Sequence, residues 1–353
     1  MKMLSRFWNW VTWQWRQEAR PRNLYCLLNY TWVAQAVGVV TELKVADYLD
    51  CGPKTIKELA DLTGTREPLL EQVMRTLAGF GIFATDWEGR YRNTAISAPL
   101  ISRRSSWLRA YVLFWQCQLY ASGKAMLEML RNGHTAFAIA HGKPAYELYS
   151  CDEEQRRIFT DFMSAVTDWQ NPTILEFFDF RPYRHIVDVG GGQASLMTAI
   201  LQANLHLRGT IFDMPHMEKP ATERLGQSAL LDRCSFVGGN FFEAVPPGAD
   251  LYTIKHVLSD WPDCDAVRIL SNIRAAMSPS SLLVIIDGIV DERDGRDQIL
   301  KMRDLEEMIL AGGHVRSKRE FQAILQSAGL QWERTVPTAV IDCNLIHARK
   351  RSC

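Results

Sequence analysis

The sequence predicts an α/β protein: a seven-stranded sheet, parallel until its last pair, preceded by an all-α region with a winged-helix arrangement. Three observations carry that prediction. From residue 184 onward, short apolar runs alternate with helical patterns, as βαβ units do. The stretch His185-Ile-Val-Asp-Val-Gly-Gly-Gly-Gln-Ala-Ser-Leu196 joins the first such run to a helix through three glycines. There the chain must turn sharply and let backbone N–H groups approach a ligand. Before residue 100 the order is helix, turn, helix, hairpin.

Taken in order, residues 22–50 read as one helix on the spacing of Leu27, Trp32, Ala36, Val40 and Leu43. Thr55-Ile-Lys-Glu58 is a capping box that starts a short helix through Leu62. Gly64-Thr65 makes a turn, Glu67 to Gly79 a second helix, and residues 82–92 a hairpin turning at Glu88-Gly89. Residues 100–180 are helical and rich in aromatics, enough to line a pocket for a flat acceptor. Strands follow at about 185–190, 208–213, 234–238, 250–257, 281–287, 332–337 and 343–349. The expected regions are 1–100, helical and winged-helix; 101–180, a helical substrate lid; and 181–353, the ligand-binding domain.

Composition narrows the function. Forty Lys+Arg against forty Asp+Glu give a formal net charge of +0, which argues against binding a phosphate backbone as the main task. The second helix carries Arg66 and Arg75 but also Glu67 and Glu71, so its face would repel DNA. The eight cysteines include no Cys-x-x-Cys pair, so no metal is expected. With no signal peptide in view, reduced thiols in the cytoplasm are expected. No unbroken apolar run reaches the ~18 residues of a membrane span. At the N-terminus, Leu4, Trp8, Val11 and Trp15 form one stripe. Burial against a partner subunit is favoured there over peripheral membrane contact.

The glycine turn points to a nucleoside cofactor. Asp213 ends the second strand about 20 residues beyond Gly192, the spacing that places a carboxylate on a ribose diol. Gly190-Gly-Gly-Gln-Ala-Ser195 departs from the dinucleotide pattern at its sixth place, and Asp188 suits a cationic ligand better than a pyrophosphate. Five motifs then occur in order: Val187-Asp-Val-Gly-Gly-Gly192, Phe212-Asp-Met-Pro-His216, Gly238-Gly-Asn-Phe-Phe242, Lys255-His-Val-Leu-Ser-Asp-Trp261 and Leu283-Val-Ile-Ile-Asp-Gly288. Over nearly its whole length the chain resembles S-adenosylmethionine-dependent O-methyltransferases of the two-domain caffeate, hydroxyindole and anthracycline type.

The resemblance implies a Rossmann-like methyltransferase sheet with an N-terminal winged-helix dimerisation domain, a homodimer, and S-adenosyl-L-methionine as cofactor. It places Asp188, Gly190, Gly191, Asp213 and Met214 around the cofactor's amino-acid and ribose parts. Asn240 and Phe241 flank adenine, with Asn where the family has Asp, and Lys255 and His256 lie nearby. Phe159, Met163 and Trp261 are the acceptor-binding candidates. The acceptor the family implies is a small aromatic metabolite bearing a hydroxyl.

The departure lies at the catalytic position. The family's general base is a histidine directly before Asp-Trp, and here that place is Ser259. Asp287 stands at the first orienting acid and Val315 at the second. Serine cannot deprotonate a phenol unaided. Three explanations compete. Positioning alone drives transfer to an acceptor that arrives ionised. Another histidine serves, either His314 or His256, with strand alternation setting 256 and 259 on opposite faces. Or the product is not an O-methyl ether, as in relatives that methylate carbon or retain the cofactor for decarboxylation, hydroxylation or pericyclic steps. A different class, a winged-helix regulator with an inactive methyltransferase domain, is disfavoured by the intact glycine turn and Asp213. A nicotinamide-dependent dehydrogenase is disfavoured by the sixth-place Ser195.

Overall fold

The structure, a computed structural model, describes residues 21–293 and 297–351; the Trp-rich stripe at residues 4–15 lies outside them. The chain divides into two compact units after Gln116, so the boundary falls inside the 101–180 stretch.

In the first unit, α1 (Pro21–Glu42) does not run on to residue 50. Lys44 takes a left-handed conformation (φ 55°), and a separate short helix, Val45–Tyr48, follows. The break lets Val40 on one side and Val45, Ala46 and Leu49 on the other bury in one core, which a straight helix would prevent. The stretch Leu24–Glu42 is long and apolar enough to cross a membrane, as the core helix of a soluble protein also can be. A count of unbroken apolar runs misses it because Asn29 and Gln35 interrupt. Beyond it, α2 (Ile56–Thr63) and α3 (Glu67–Gly79) precede the hairpin β1 (Phe83–Thr85) and β2 (Tyr91–Asn93). The capping box forms as expected: Glu58 N donates to Thr55 Oγ1 at 3.2 Å and Thr55 N to Glu58 Oε2 at 2.7 Å. Gly64 closes α2 at φ 66°.

The second unit carries the sheet. Its strands are β3 (His185–Val189), β4 (Arg208–Asp213), β5 (Cys234–Gly238), β6 (Leu251–Lys255), β7 (Leu282–Asp287), β8 (Leu330–Val336) and β9 (Asn344–Lys350). The order across the sheet is β5-β4-β3-β6-β7-β9-β8, with only the pairings of β9 antiparallel. Apolar layers cover both faces, and every residue of β7 is buried. Strand order reverses between β3 and β6, which pair in parallel with Val187 opposite Tyr252. Such a switch point opens a crevice at the carboxyl ends of the strands. The 25-residue α4 (Glu153–Phe177), α5 (Ser195–Ala203), α6 (Gln298–Leu310) and α7 (Lys318–Ser327) complete what positions the site.

Candidate active site

The turn between β3 and α5 is fixed by its backbone. Gly190 adopts φ +72°, its N–H donates to Phe212 O at 2.8 Å, and a Cβ there would stand 2.6 Å from Val257 Cγ2. A side chain at Gly191 would meet Asp188 Oδ2 at 2.9 Å. At the end of β4, Asp213 accepts from Gly192 N–H at 2.8 Å and from Met214 N–H at 2.6 Å. Both carboxylate oxygens are thereby oriented, and each keeps a free lone pair. Burial raises the Asp213 pKa against those two bonds. Under the turn, Asp188 is buried and accepts from Thr253 Oγ1 at 2.7 Å; burial pushes it up to about 7. Gln193, which sequence reasoning passed over, ties the turn to α4 by accepting from Ser164 Oγ (3.0 Å) and donating to Thr160 Oγ1 (2.9 Å).

Lys255 ends β6 and donates to Thr167 Oγ1 at 3.0 Å; burial brings its pKa down to about 8. His256 follows with φ 50°. Its Nε2 lies 3.1 Å from Gln170 Oε1, and Gln170 donates its amide N–H to Ile341 O, so His256 Nε2 is the donor. Its Nδ1 lies 3.6 Å from both Asp287 Oδ1 and Asp342 Oδ2. Among the described residues this is the one group of three His, Cys, Asp or Glu side chains whose ring-nitrogen, sulfur or carboxylate atoms all lie within 4.8 Å of one another. Arg303 Nε stands 3.4 Å from the same Asp342 oxygen and supplies a fixed positive charge there.

A cavity of about 340 Å³ opens above the turn. Asp188, Gly190, Gly191, Asp213, Met214, Asn240, Phe241, Lys255 and His256 line it, and so do Phe159, Met163 and Trp261. Asn240 is held by a turn of its own, its Oδ1 accepting from Phe242 N–H at 3.0 Å. One wall is aromatic. Tyr146 stacks on Trp261 with centroids 5.4 Å apart, Tyr149 stacks on Phe159 at 4.7 Å, and Phe242 meets Trp261 edge-on at 4.8 Å.

The residues named for catalysis lie elsewhere. Ser259 is buried away from the cavity, and its Oγ has no hydrogen-bond partner among the described residues. His314 is partly exposed outside the cavity, with Nε2 3.5 Å from Asp263 Oδ1. Asp287 is buried behind His256 and accepts from Gly288 N–H at 2.8 Å. Strand alternation does not relate residues 256 and 259, because β6 ends at Lys255 and Leu258–Asp260 is a 3-10 turn. What faces the cavity from that turn is Asp260, which accepts a hydrogen bond from the Tyr146 hydroxyl. Burial, then the charge of Glu307, pushes the Asp260 carboxyl well above the carboxylate range. Fully buried Arg316 clamps the turn, donating to Leu258 O at 2.5 Å and Trp261 O at 2.8 Å. No local motif marks Tyr146, Glu307 or Arg316. Asp260 was in view only as part of Asp-Trp.

The chain resembles known proteins along almost its whole length. Residues 122–331 match the model of the O-methyltransferase domain, and residues 25–103 that of the O-methyltransferase dimerisation domain. The mitomycin biosynthesis 6-O-methyltransferase of Streptomyces lavendulae is 35% identical over 329 residues, covering 92% of this chain and 93% of that protein. The solved mitomycin 7-O-methyltransferase has a TM-score of 0.88 at 35% identity and covers 93% of this chain and 97% of its own. An O-methyltransferase from neocarzinostatin biosynthesis, solved with S-adenosyl-L-homocysteine and 1,4-dihydroxy-2-naphthoic acid, has a TM-score of 0.76 at 27% identity, covering 90% and 95%. The glycine turn, the oriented carboxylate at the end of β4 and these matches together show that the chain belongs to the S-adenosylmethionine-dependent O-methyltransferase family.

Proposed function

We propose that this enzyme methylates a hydroxyl of a small aromatic specialised metabolite, with the cofactor and the acceptor held in the one cavity above the glycine turn. The observation that carries this reading is the pairing, in that cavity, of the doubly oriented Asp213 with an aromatic wall built on Trp261 and Tyr146. The residues fit S-adenosylmethionine. Asp213 would take the two ribose hydroxyls, and Phe241 and Asn240 would border adenine. The backbone of Gly190 and Gly191, above Asp188, would receive the amino-acid part, with Met214, Lys255 and His256 at its flanks. When bound, the cofactor supplies a methyl group on a positively charged sulfur.

Phe159, Met163 and Trp261 would hold a flat acceptor against that methyl group. Ser259 offers no base, so the rate rests mainly on positioning, which can supply up to ~7–11 kcal/mol. The exposed apolar face of α1 completes the reading as a homodimer, and the thiols of Cys26, Cys51, Cys151, Cys234, Cys264 and Cys343 fit a cytoplasmic enzyme. The test combines binding and products. Calorimetry should show S-adenosylmethionine binding weakened by roughly 1.5–3 kcal/mol in Asp213→Ala, the range for hydrogen bonds to a charged group. Mass spectrometry of hydroxynaphthoates, hydroxyphenazines and hydroxybenzoates incubated with enzyme and cofactor should show O-methyl ethers matched one to one by S-adenosylhomocysteine. Unchanged affinity in the variant overturns the cofactor assignment. Carbon-methylated, hydroxylated or decarboxylated products overturn the O-methyl reading.

A further inference from the structure

We propose that Asp260, hydrogen-bonded to Tyr146 and set beside Glu307, takes the proton from the acceptor hydroxyl, the task left open by the serine at position 259. The inference rests on the methyl-transfer reading above and adds a named proton acceptor to it.

Trp261 stacks on Tyr146 to make a flat wall, and Asp260 is the next residue along the same clamped turn. A ring lying on that wall presents its substituents to the Asp260 carboxylate, the cavity-lining acid on the acceptor side, whereas Asp188 and Asp213 lie at the glycine turn. The 258–261 segment is held from below by Arg316, and Gly313 packs so closely that a Cβ there would sit 2.0 Å from Ser259 O. The carboxylate therefore has a fixed position, which proton transfer requires.

The surrounding charges set its proton affinity. Tyr146 and Tyr149 face Asp260 from the helix Ala145–Cys151; burial raises both phenols well above their ordinary range, so Tyr146 remains a donor and is not itself a base. From α6 come Glu307, 2% exposed, and Arg303, whose Nη2 lies 2.6 Å from Glu307 Oε1. Burial and the nearby charge of Glu307 raise the Asp260 carboxyl, while the hydrogen bond from Tyr146 and the Arg303 guanidinium oppose that rise. A carboxylate raised in this way is more basic than a solvated one, and a general base is most effective when its proton affinity lies near the working pH. The step balances. The acceptor oxygen forms a bond to the methyl carbon, the carbon–sulfur bond breaks with its electrons passing to sulfur, and the hydroxyl proton goes to the Asp260 carboxylate.

Asp260→Asn and Tyr146→Phe in the full chain test this. The probes are whichever phenol of the panel is methylated fastest and its ring-nitrated analogue, which is ionised at assay pH. Asp260→Asn should lower kcat by roughly 10²–10⁴-fold with the parent phenol, the range for a lost general base. With the nitrated analogue it should lose less than about tenfold, at unchanged cofactor affinity and melting temperature. In Tyr146→Phe the carboxylate loses a donor that favours its charged form, so the acid limb of the pH–rate profile should move to higher pH. A readout without turnover is infrared difference spectroscopy across pH with S-adenosylhomocysteine bound, where the wild type should show a carboxyl that protonates above the ordinary carboxylate range and that Asp260→Asn loses. Equal losses with both phenols, an unmoved acid limb, or no such carboxyl overturns the proposal. If no panel member is O-methylated, the methyl-transfer reading fails, while the infrared titration still decides whether Asp260 is the basic carboxylate.

Discussion

A hydroxyl buried without a partner costs roughly 1–3 kcal/mol, and Ser259 Oγ is in that position. Removing it takes away an unsatisfied group and no cavity contact. Ser259→Ala should therefore leave the melting temperature equal or higher and lower kcat by less than about tenfold, or ~1.4 kcal/mol of barrier. His314→Ala should behave alike, because its ring is turned to Asp263 outside the cavity. Steady-state kinetics on both variants checks this. A loss above about a hundredfold in Ser259→Ala at intact cofactor affinity would mean that the hydroxyl turns toward the acceptor in the working complex. The contrast with Asp260, next in sequence and inside the cavity, shows how a one-residue step along a 3-10 turn moves a side chain from core to site.

At the scale of elements, the β3–α5 turn joins local strain to ligand binding. Gly190→Ala would hold a Cβ at φ +72° against Val257 Cγ2. The left-handed conformation costs about 1–2 kcal/mol for a non-glycine residue, and relieving the clash shifts either the turn or Val257, itself a cavity-lining side chain. Calorimetry should show S-adenosylmethionine affinity reduced by more than that strain alone, with melting lowered; unchanged affinity would mean that the turn is not part of the cofactor site. This turn was legible because glycines between an apolar run and a helical pattern are a local signal. The same holds for the Thr55 capping box, and for the strands, which end within about two residues of the expected positions. Lys44 and His256 were not legible. Each is a non-glycine residue in a left-handed conformation, which only tertiary packing imposes. The cofactor-side and acceptor-side residues carried by ordered motifs gather in one cavity. The Tyr146–Asp260–Glu307 cluster and the Arg316 clamp join residues far apart in the chain, so no spacing rule exposes them.

For the whole molecule, the question is what covers α1. Leu24, Tyr25, Leu28 and Trp32 are each 60% or more exposed on this helix. Its opposite side packs within its own unit, where Tyr30 meets Phe80 edge-on at 5.9 Å. A contiguous apolar face of this kind marks an interface with protein or lipid. All of it but Leu24 falls within residues 25–103, the match to the dimerisation domain, which favours a second copy of the chain. Light scattering at micromolar concentration should therefore give twice the 40.3 kDa chain mass. Leu28→Glu combined with Trp32→Glu should give monomers with a lower melting temperature, because a stable interface of about 800 Å² per partner does not tolerate unpaired buried carboxylates. A wild-type monomer that instead floats with phospholipid vesicles, and is released from them by the same two substitutions, would assign the face to a membrane surface and overturn the homodimer.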